Sequence, residues 1–169
     1  MKQAYPPFAA GSLRLRLLAE ADLPFTLAWR NRDGARQQFG TADVLQWDQH
    51  AGWFTRYLDK ADDLVFIVEE AATQARVGQV AIYGIDTVAG KAEIGRFVVA
   101  PEFQGQGLMR QGIEALMGFA REALGLASVY LLVRDTNERA HRLYVQLGFT
   151  EVSRADGMIT MERSINDHV

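Results

Sequence analysis

Apolar and polar side chains alternate without a break over Ser12-Leu13-Arg14-Leu15-Arg16-Leu17, the period of a strand with one buried face. Leu64 to Glu69, Val77 to Tyr83 and Ala92 to Val99 are short apolar runs that predict three further strands, with Ala89-Gly90 as the turn of a hairpin between the last two. Ser128 to Val133 predicts a fifth strand, and Phe149 to Ile165 a closing hairpin that turns at Asp156-Gly157. The intervening segments change to a helical period. Glu20 to Arg32, with Pro24 near its first turn, predicts one helix, and Trp47 to Leu58, with Asp48 as its N-cap, a second. Met109, Ile113, Leu116, Met117, Ala120 and Leu124 recur at three- and four-residue spacing, which predicts a third helix from about Gly107 to Leu124, stopped by Gly125. Asn137 to Leu147, ended by Gly148, predicts a fourth. The order is β-α-α-β-β-β-α-β-α-β-β, without repeats or low-complexity tracts.

The most informative junction is Val98-Val99-Ala100-Pro101-Glu102-Phe103-Gln104-Gly105-Gln106-Gly107-Leu108-Met109, where an apolar strand runs into a glycine-rich turn that opens the third helix. The first turn of a helix leaves backbone N–H groups without partners, and glycines let an anion approach them, so this junction is suited to a pyrophosphate. It is not a P-loop, because no Lys-Ser or Lys-Thr follows Gly105 or Gly107. The dinucleotide pattern Gly-x-Gly-x-x-Gly is broken by Arg110, although Gly112 stands two places on and Asp135 follows the next strand.

The same junction resembles the acetyl-CoA-binding motif of the GNAT N-acetyltransferase superfamily, with Phe97, Val99 and Pro101 on the strand side and Gln104, Gly107 and Met109 on the loop side. Met109 departs from the family's Gly or Ala; as a side chain it reads as a core-facing helical residue. Downstream, Asn137-Glu138-Arg139-Ala140-His141-Arg142-Leu143-Tyr144-Val145-Gln146-Leu147-Gly148-Phe149 resembles the family's Asn-x-x-Ala-x-x-Leu-Tyr-x-x-x-Gly-Phe block. The ribosomal-protein N-terminal and amino-sugar acetyltransferase branches are the nearest in pattern. The resemblance implies an α/β (α+β) fold, a single domain over residues 1–169, with a mixed, mostly antiparallel sheet flanked by helices. It also implies acetyl-CoA as cosubstrate, contacted by Phe97, Val98, Val99, Gln104, Gly105, Gln106, Gly107, Leu108, Met109 and Asn137. Dimers are common in that family.

Composition adds limits. The 169 residues are 49% apolar, enough for one domain with a substantial core. There is no run of eighteen apolar residues and no basic-then-apolar leader, so a membrane span and export are not expected and a cytoplasmic location is. A net charge of −3 argues against a general nucleic-acid surface. With no cysteine, neither a thiolate metal site nor a cysteine acyl-enzyme is available, so acetyl transfer is expected to be direct and no metal is expected.

The chemistry divides into three tasks. A lysine-like amine, with a pKa of about 10.4, is almost wholly protonated at neutral pH, so a base or a desolvating site must supply the free amine. Glu93 is the favoured base, through a water, with His50, Asp48 and Asp33 as alternatives and a solvated strand carboxylate as the plain reading of Glu93. By resemblance, a backbone N–H at Val99 polarises the thioester carbonyl, and Tyr144 is the general acid for the departing sulfur; otherwise Tyr144 is a packed helix aromatic. Asn137 reads either as a contact to the CoA arm or as a helix N-cap. Trp29-Arg30-Asn31 resembles a segment of amino-sugar and protein N-terminal acetyltransferases, and Arg30, Arg32 and Arg36 are candidate contacts to a phosphate or carboxylate. Trp47, His50, Trp53, Phe54 and Tyr57 crowd the second helix, as core or as a sugar-stacking wall. The expected acceptor is a small-molecule or peptide amine; the alternative is a non-catalytic acyl-CoA-binding module.

Overall fold

The alternation that opens the chain forms strand β2 (Leu13–Leu17), which buries Leu13 and Leu15 and turns Arg14 and Arg16 to the opposite face. It is paired by a short strand that the sequence reading did not include, β1 (Phe8–Ala10), through a tight turn in which Gly11 has φ 61°. The computed structural model describes residues 2–32 and 44–166. The remaining strands are β3 (Asp63–Glu70), β4 (Arg76–Asp86), β5 (Lys91–Val99), β6 (Ser128–Arg134), β7 (Thr150–Ala155) and β8 (Met158–Ser164). They form one sheet in the order β1-β2-β3-β4-β5-β6-β8-β7, in which only β5 and β6 run parallel. The β4–β5 and β7–β8 hairpins turn where the sequence predicts; Asp156 and Gly157 both take positive φ, as a two-residue hairpin turn requires.

Helices cover the sheet unequally. On one face, α3 (Leu108–Glu122) lays Ile113, Leu116 and Phe119 over Leu15, Phe66, Ile82 and Ile94, with the Phe119 ring edge-on to Phe66 at 4.8 Å. The amphipathic helix α4 (Glu138–Gln146) adds Leu143 and Tyr144 to that core. On the other face, α1 (Leu23–Asn31) and α2 (Trp47–Tyr57) pack Leu23, Trp29, Phe54 and Tyr57 against Val65, Ile67, Ala81 and Val98. Two expectations shift. The predicted first helix opens with a 3-10 turn at Glu20–Asp22, and α2 is capped by Gln46, whose N–H donates to Gln49 Oε1 at 2.8 Å, so Asp48 lies in the first turn instead of at the N-cap.

Charge fixes α1 to the sheet. Asp22, at the head of α1 with 1% of its side chain exposed, accepts from Arg16 Nη1 and Nη2 at 2.7 Å, from Arg76 Nε at 2.8 Å and from the Ala19 N–H at 2.8 Å. Glu69 on β3 accepts from Arg14 Nη2 at 2.7 Å and Arg16 Nε at 2.6 Å. Burial alone pushes both carboxyls up, but these hydrogen bonds outweigh it and hold both below their usual range. A depressed carboxyl contributes stability that is present above its unfolded pKa and lost as pH falls through the folded one. Asp22→Ala is therefore expected to destabilise the fold by about 3–5 kcal/mol at pH 7, as removal of one partner from a buried ion pair does. The deficit relative to the unsubstituted protein narrows as pH falls below about 4. Urea unfolding across that range checks both points.

Candidate active site

Strands β5 and β6 pair only at Lys91–Ser128, Ala92–Val129 and Glu93–Tyr130, although β5 continues to Val99 and β6 to Arg134. Past Glu93 the two strands part. On its other edge β5 stays with β4, but between the pairs Ala81–Gly95 and Gln79–Val98 the single residue Val80 faces two, Arg96 and Phe97. This bulge reverses the phase of the strand. Ala92 and Ile94 belong to the α3 core; beyond the bulge Phe97 joins that core while Val98 faces α1 and α2. Arg96 carries the bulge at φ 55°, a left-handed conformation that costs a non-glycine residue about 1–3 kcal/mol. Three contacts hold it there: its guanidinium pairs with Asp63 at 2.9 Å and lies 4.2 Å over the Tyr83 ring, and its carbonyl accepts from Gln79 Nε2 at 2.9 Å. Gly95 belongs to the same device, because a Cβ there collides with the Tyr83 hydroxyl.

The parted edge presents backbone to the slot. The Ala100 N–H bonds Val77 O on the β4 side, so the Val99 N–H, one residue earlier in an extended strand, points to the open side. The chain then makes a 3-10 turn at Pro101–Phe103 and passes Gln104, Gly105, Gln106 and Gly107 into α3. Gly105 and Gly107 have φ of 79° and 72°, and a Cβ built on either meets nothing within 4 Å. Their role is thus conformational, with open space in front of the helix end. The first α3 hydrogen bond is Gln111 N–H to Gly107 O, which leaves the N–H groups of Leu108, Met109 and Arg110 directed out of the helix. Bare amides, two glycines and a parted strand pair fit a pyrophosphate and its extended thiol arm. Leu108 and Met109 are half-buried against the α3 core, the core-facing reading of Met109. With its amide oxygen toward Arg32, Gln104 accepts from both Nη atoms at 2.8 and 2.9 Å, which ties the end of α1 to this loop. Asn137 caps α4, accepting from the Ala140 N–H at 3.1 Å.

On the face of α1 and α2, a cleft of about 490 Å³ opens toward Val98, walled by Trp53, Gln79 and Arg96. Glu93 sits where β5 and β6 separate, and accepts from the Tyr83 hydroxyl at 3.3 Å. Burial raises its pKa, only partly offset by the Tyr83 hydrogen bond and the Arg96 charge, so the carboxylate is a stronger base than an exposed one. Burial and the charge of Glu93 push the Tyr83 phenol up, which keeps it a donor. Tyr144 lies on the α3 side of the sheet, its ring 6.2 Å from both Phe97 and Phe149. Burial raises its phenol to about 12, so it is protonated at neutral pH. His50 is buried, stacks on Trp53 at 5.5 Å, and its Nε2 is 2.8 Å from Thr26 Oγ1. Burial and the Arg30 charge lower its pKa and keep it neutral.

The sequence-predicted residues therefore fall into two groups. Phe97, Val98, Val99, Gln104, Gly105, Gln106, Gly107, Leu108 and Met109 follow one another along the parted strand and the loop, and Glu93 and Tyr144 flank that strand from opposite faces. Trp29 is core, and Asn31 clamps the approach to α2 by bonding both the N–H and the carbonyl of Leu45 at 2.7 Å. Of that segment only Arg30 reaches the cleft. The crowded α2 aromatics divide: Phe54 and Tyr57 are core, and Trp53 faces the cleft. Asp33 and Arg36 lie outside the described residues. Sequence reading missed Tyr83, Arg96 and Gln79; the one signal for them was Gly95, a glycine inside an apolar strand, which marks a bulge or a close approach.

Residues 12–150 match the family described as the acetyltransferase (GNAT) domain. The chain is 26% identical to a spermidine N(1)-acetyltransferase of Escherichia coli strain K12 over 142 residues, 84% of this chain and 75% of that protein. It is 27% identical to a spermidine N(1)-acetyltransferase of Vibrio cholerae over 154 residues, 91% of this chain and 86% of that one. A crystal structure of spermidine N-acetyltransferase from Vibrio cholerae in complex with CoA and spermine superposes with a TM-score of 0.81 at 24% identity, covering 90% of this chain and 95% of that one. With the parted strand pair and its glycine-rich loop, the match establishes that this chain belongs to the GNAT acetyltransferase family, enzymes that transfer acetyl from acetyl-CoA to amines.

Proposed function

We propose that the chain passes acetyl directly from acetyl-CoA to a primary amine of a small molecule held in the cleft under α1 and α2. The observation that carries this reading is the position of Glu93, a carboxylate of raised pKa on the acceptor face at the point where β5 and β6 separate. Bound acetyl-CoA supplies an activated thioester carbonyl. The loop amides of Leu108 to Arg110 hold its phosphates, and the Val99 N–H polarises the carbonyl. The amine nitrogen bonds the carbonyl carbon and the carbon–sulfur bond breaks. Glu93, through a water, takes the amine proton. Tyr144 presents its O–H to the departing sulfur. Because a phenol near 12 is a weaker acid than a thiol of about 8.5, Tyr144 acts as a hydrogen-bond donor to the developing thiolate, a modest contribution in line with an already fair leaving group.

The likeness to spermidine acetyltransferases over most of the chain supports a polyamine as the first acceptor to test, ahead of the amino sugars and protein N-termini suggested by Trp29-Arg30-Asn31. CoA thiol release measured across polyamines, amino sugars and peptides with free N-termini tests the reading. Release with one amine class supports it, and silence with acetyl-CoA binding intact assigns the chain to the binding modules instead.

Three variants test the roles. Gly107→Leu, which forces a side chain into the left-handed cap and into the open approach, is expected to weaken acetyl-CoA binding about tenfold or more by calorimetric titration. Tyr144→Phe is expected to lower kcat roughly tenfold with acetyl-CoA affinity nearly intact; unchanged kcat returns Tyr144 to the core. Glu93→Gln is expected to lower turnover most at pH values above the raised Glu93 pKa and well below that of the amine, where the carboxylate is ionised and the amine still protonated. The deficit closes at lower pH, where Glu93 itself is protonated, and again as rising pH supplies free amine. A pH-independent deficit points to a structural role for Glu93.

A further inference from the structure

The cleft is lined by three arginines, Arg30, Arg56 and Arg96, against one carboxylate, Asp48, among the described residues. That is an unexpected wall for a polycation. The three are not equivalent. Arg96 is neutralised by Asp63 and fixed over Tyr83. Arg30 lies half-buried at the foot of α1, where burial and the Arg96 charge both disfavour its cationic form. Arg56 is the exposed member, on the cleft-facing stripe of α2 that also carries Gln49, Gly52 and Trp53. Its guanidinium folds back along the helix over Gly52, with Nη1 3.5 Å from where a Cβ of that residue would stand. The guanidinium thus lies along the cleft wall that Trp53 also lines, and among the described residues no carboxylate pairs with it.

We infer that the acceptor is an amine that also carries an anionic group, a phosphate or a carboxylate, and that Arg56 on the cleft wall receives that group while the amine is directed to Glu93. Guanidinium groups match both anions in the fork geometry that a bidentate contact needs. Trp53, half-buried and held by stacking with His50 and Tyr57 at 5.5 and 5.2 Å, gives the cleft a rigid apolar wall for the body of the molecule between its two ends. A polyamine brings further positive charge to the same wall. The inference rests on the acetyl-transfer reading for the fate of the amine, but not for the binding of the anion.

The test compares amines matched except for charge. Glucosamine against glucosamine 6-phosphate gives the phosphate arm, and butylamine against γ-aminobutyrate the carboxylate arm, with spermidine alongside. The expected result is a kcat/KM about ten- to a hundredfold higher for the anionic member of at least one pair, the size of one charge-assisted contact. The arm in which it occurs identifies the anion. Arg56→Gln is expected to collapse that ratio to near one, and Arg56→Lys to retain part of it. Binding of the anionic amine to the CoA complex, measured by calorimetry on the same variants, gives a readout independent of turnover. Anion binding that depends on Arg56 without any CoA release overturns the acetyl-transfer reading and keeps the subsite. A preference for spermidine over every anionic amine, or a ratio unchanged by Arg56→Gln, overturns the subsite.

Discussion

Everything at this site depends on two parallel strands that stop pairing. A parallel pair is normally continuous and buried, and an unpaired edge inside a sheet leaves backbone donors and acceptors without partners. Here β5 and β6 hold for three pairs and then diverge, so the later N–H and C=O groups of β5 face a slot instead of a neighbour. The fold keeps this arrangement by tightening the other edge. Gly78 lies so close to β5 that a Cβ would collide with the Val98 carbonyl, and Gln79 holds the Arg96 carbonyl. The bulge at Arg96-Phe97 then assigns faces: Phe97 goes to the side of Tyr144, and Val98 to the cleft walled by α1 and α2. Without it a strict alternation would send Val98 under α3 and Phe97 toward α2, and the strand would not present these two side chains to the two faces it now does.

The same cluster sets the electrostatics. Asp63 neutralises Arg96, so that cation does not draw down the Glu93 carboxylate as far as an unpaired guanidinium would. Tyr83 contributes three contacts at once: its ring takes the Arg96 guanidinium, its hydroxyl bonds Glu93, and its bulk fills the place of a Gly95 side chain. Farther out, the Arg14, Arg16 and Arg76 network on Asp22 and Glu69 fixes the head of α1 on the sheet. Arg32 ties the other end of that helix to Gln104. Helix α1 thus spans from a buried ion network to the glycine-rich loop, and the cleft is built against an element clamped at both ends.

What could be read from the sequence follows from how local each determinant is. Strand alternation at Leu13–Leu17, the α3 stripe, the Gly105 and Gly107 turn and the Asp156-Gly157 hairpin are encoded within a few residues, and each lies where the pattern places it. Strand β1 escaped because three residues carry too little period to register. The bulge escaped because it is decided by side chains far apart in sequence, Asp63, Gln79 and Tyr83, acting on a strand that reads as uniform. The mistaken cap at Asp48 has a similar origin: Asp is a good N-cap residue, but the Gln46–Gln49 hydrogen bond starts the helix two residues earlier.

The acceptor half was the least legible for a different reason. Phosphate recognition uses backbone amides, so its signature is glycine spacing, which a sequence displays directly. The cleft is lined by side chains brought from α1, α2 and β5, and its meaning depends on which of them remain available once the fold has paired the rest. In the sequence, Arg30, Arg56 and Arg96 are three equal charges. In the structure Arg96 is committed to Asp63 and a strained backbone, Arg30 is drawn into the wall, and Arg56 lies over a glycine facing the cleft. A polyamine acetyltransferase and an enzyme for an anionic amine can therefore share a fold and a cofactor loop, and differ by how one helix turn is decorated.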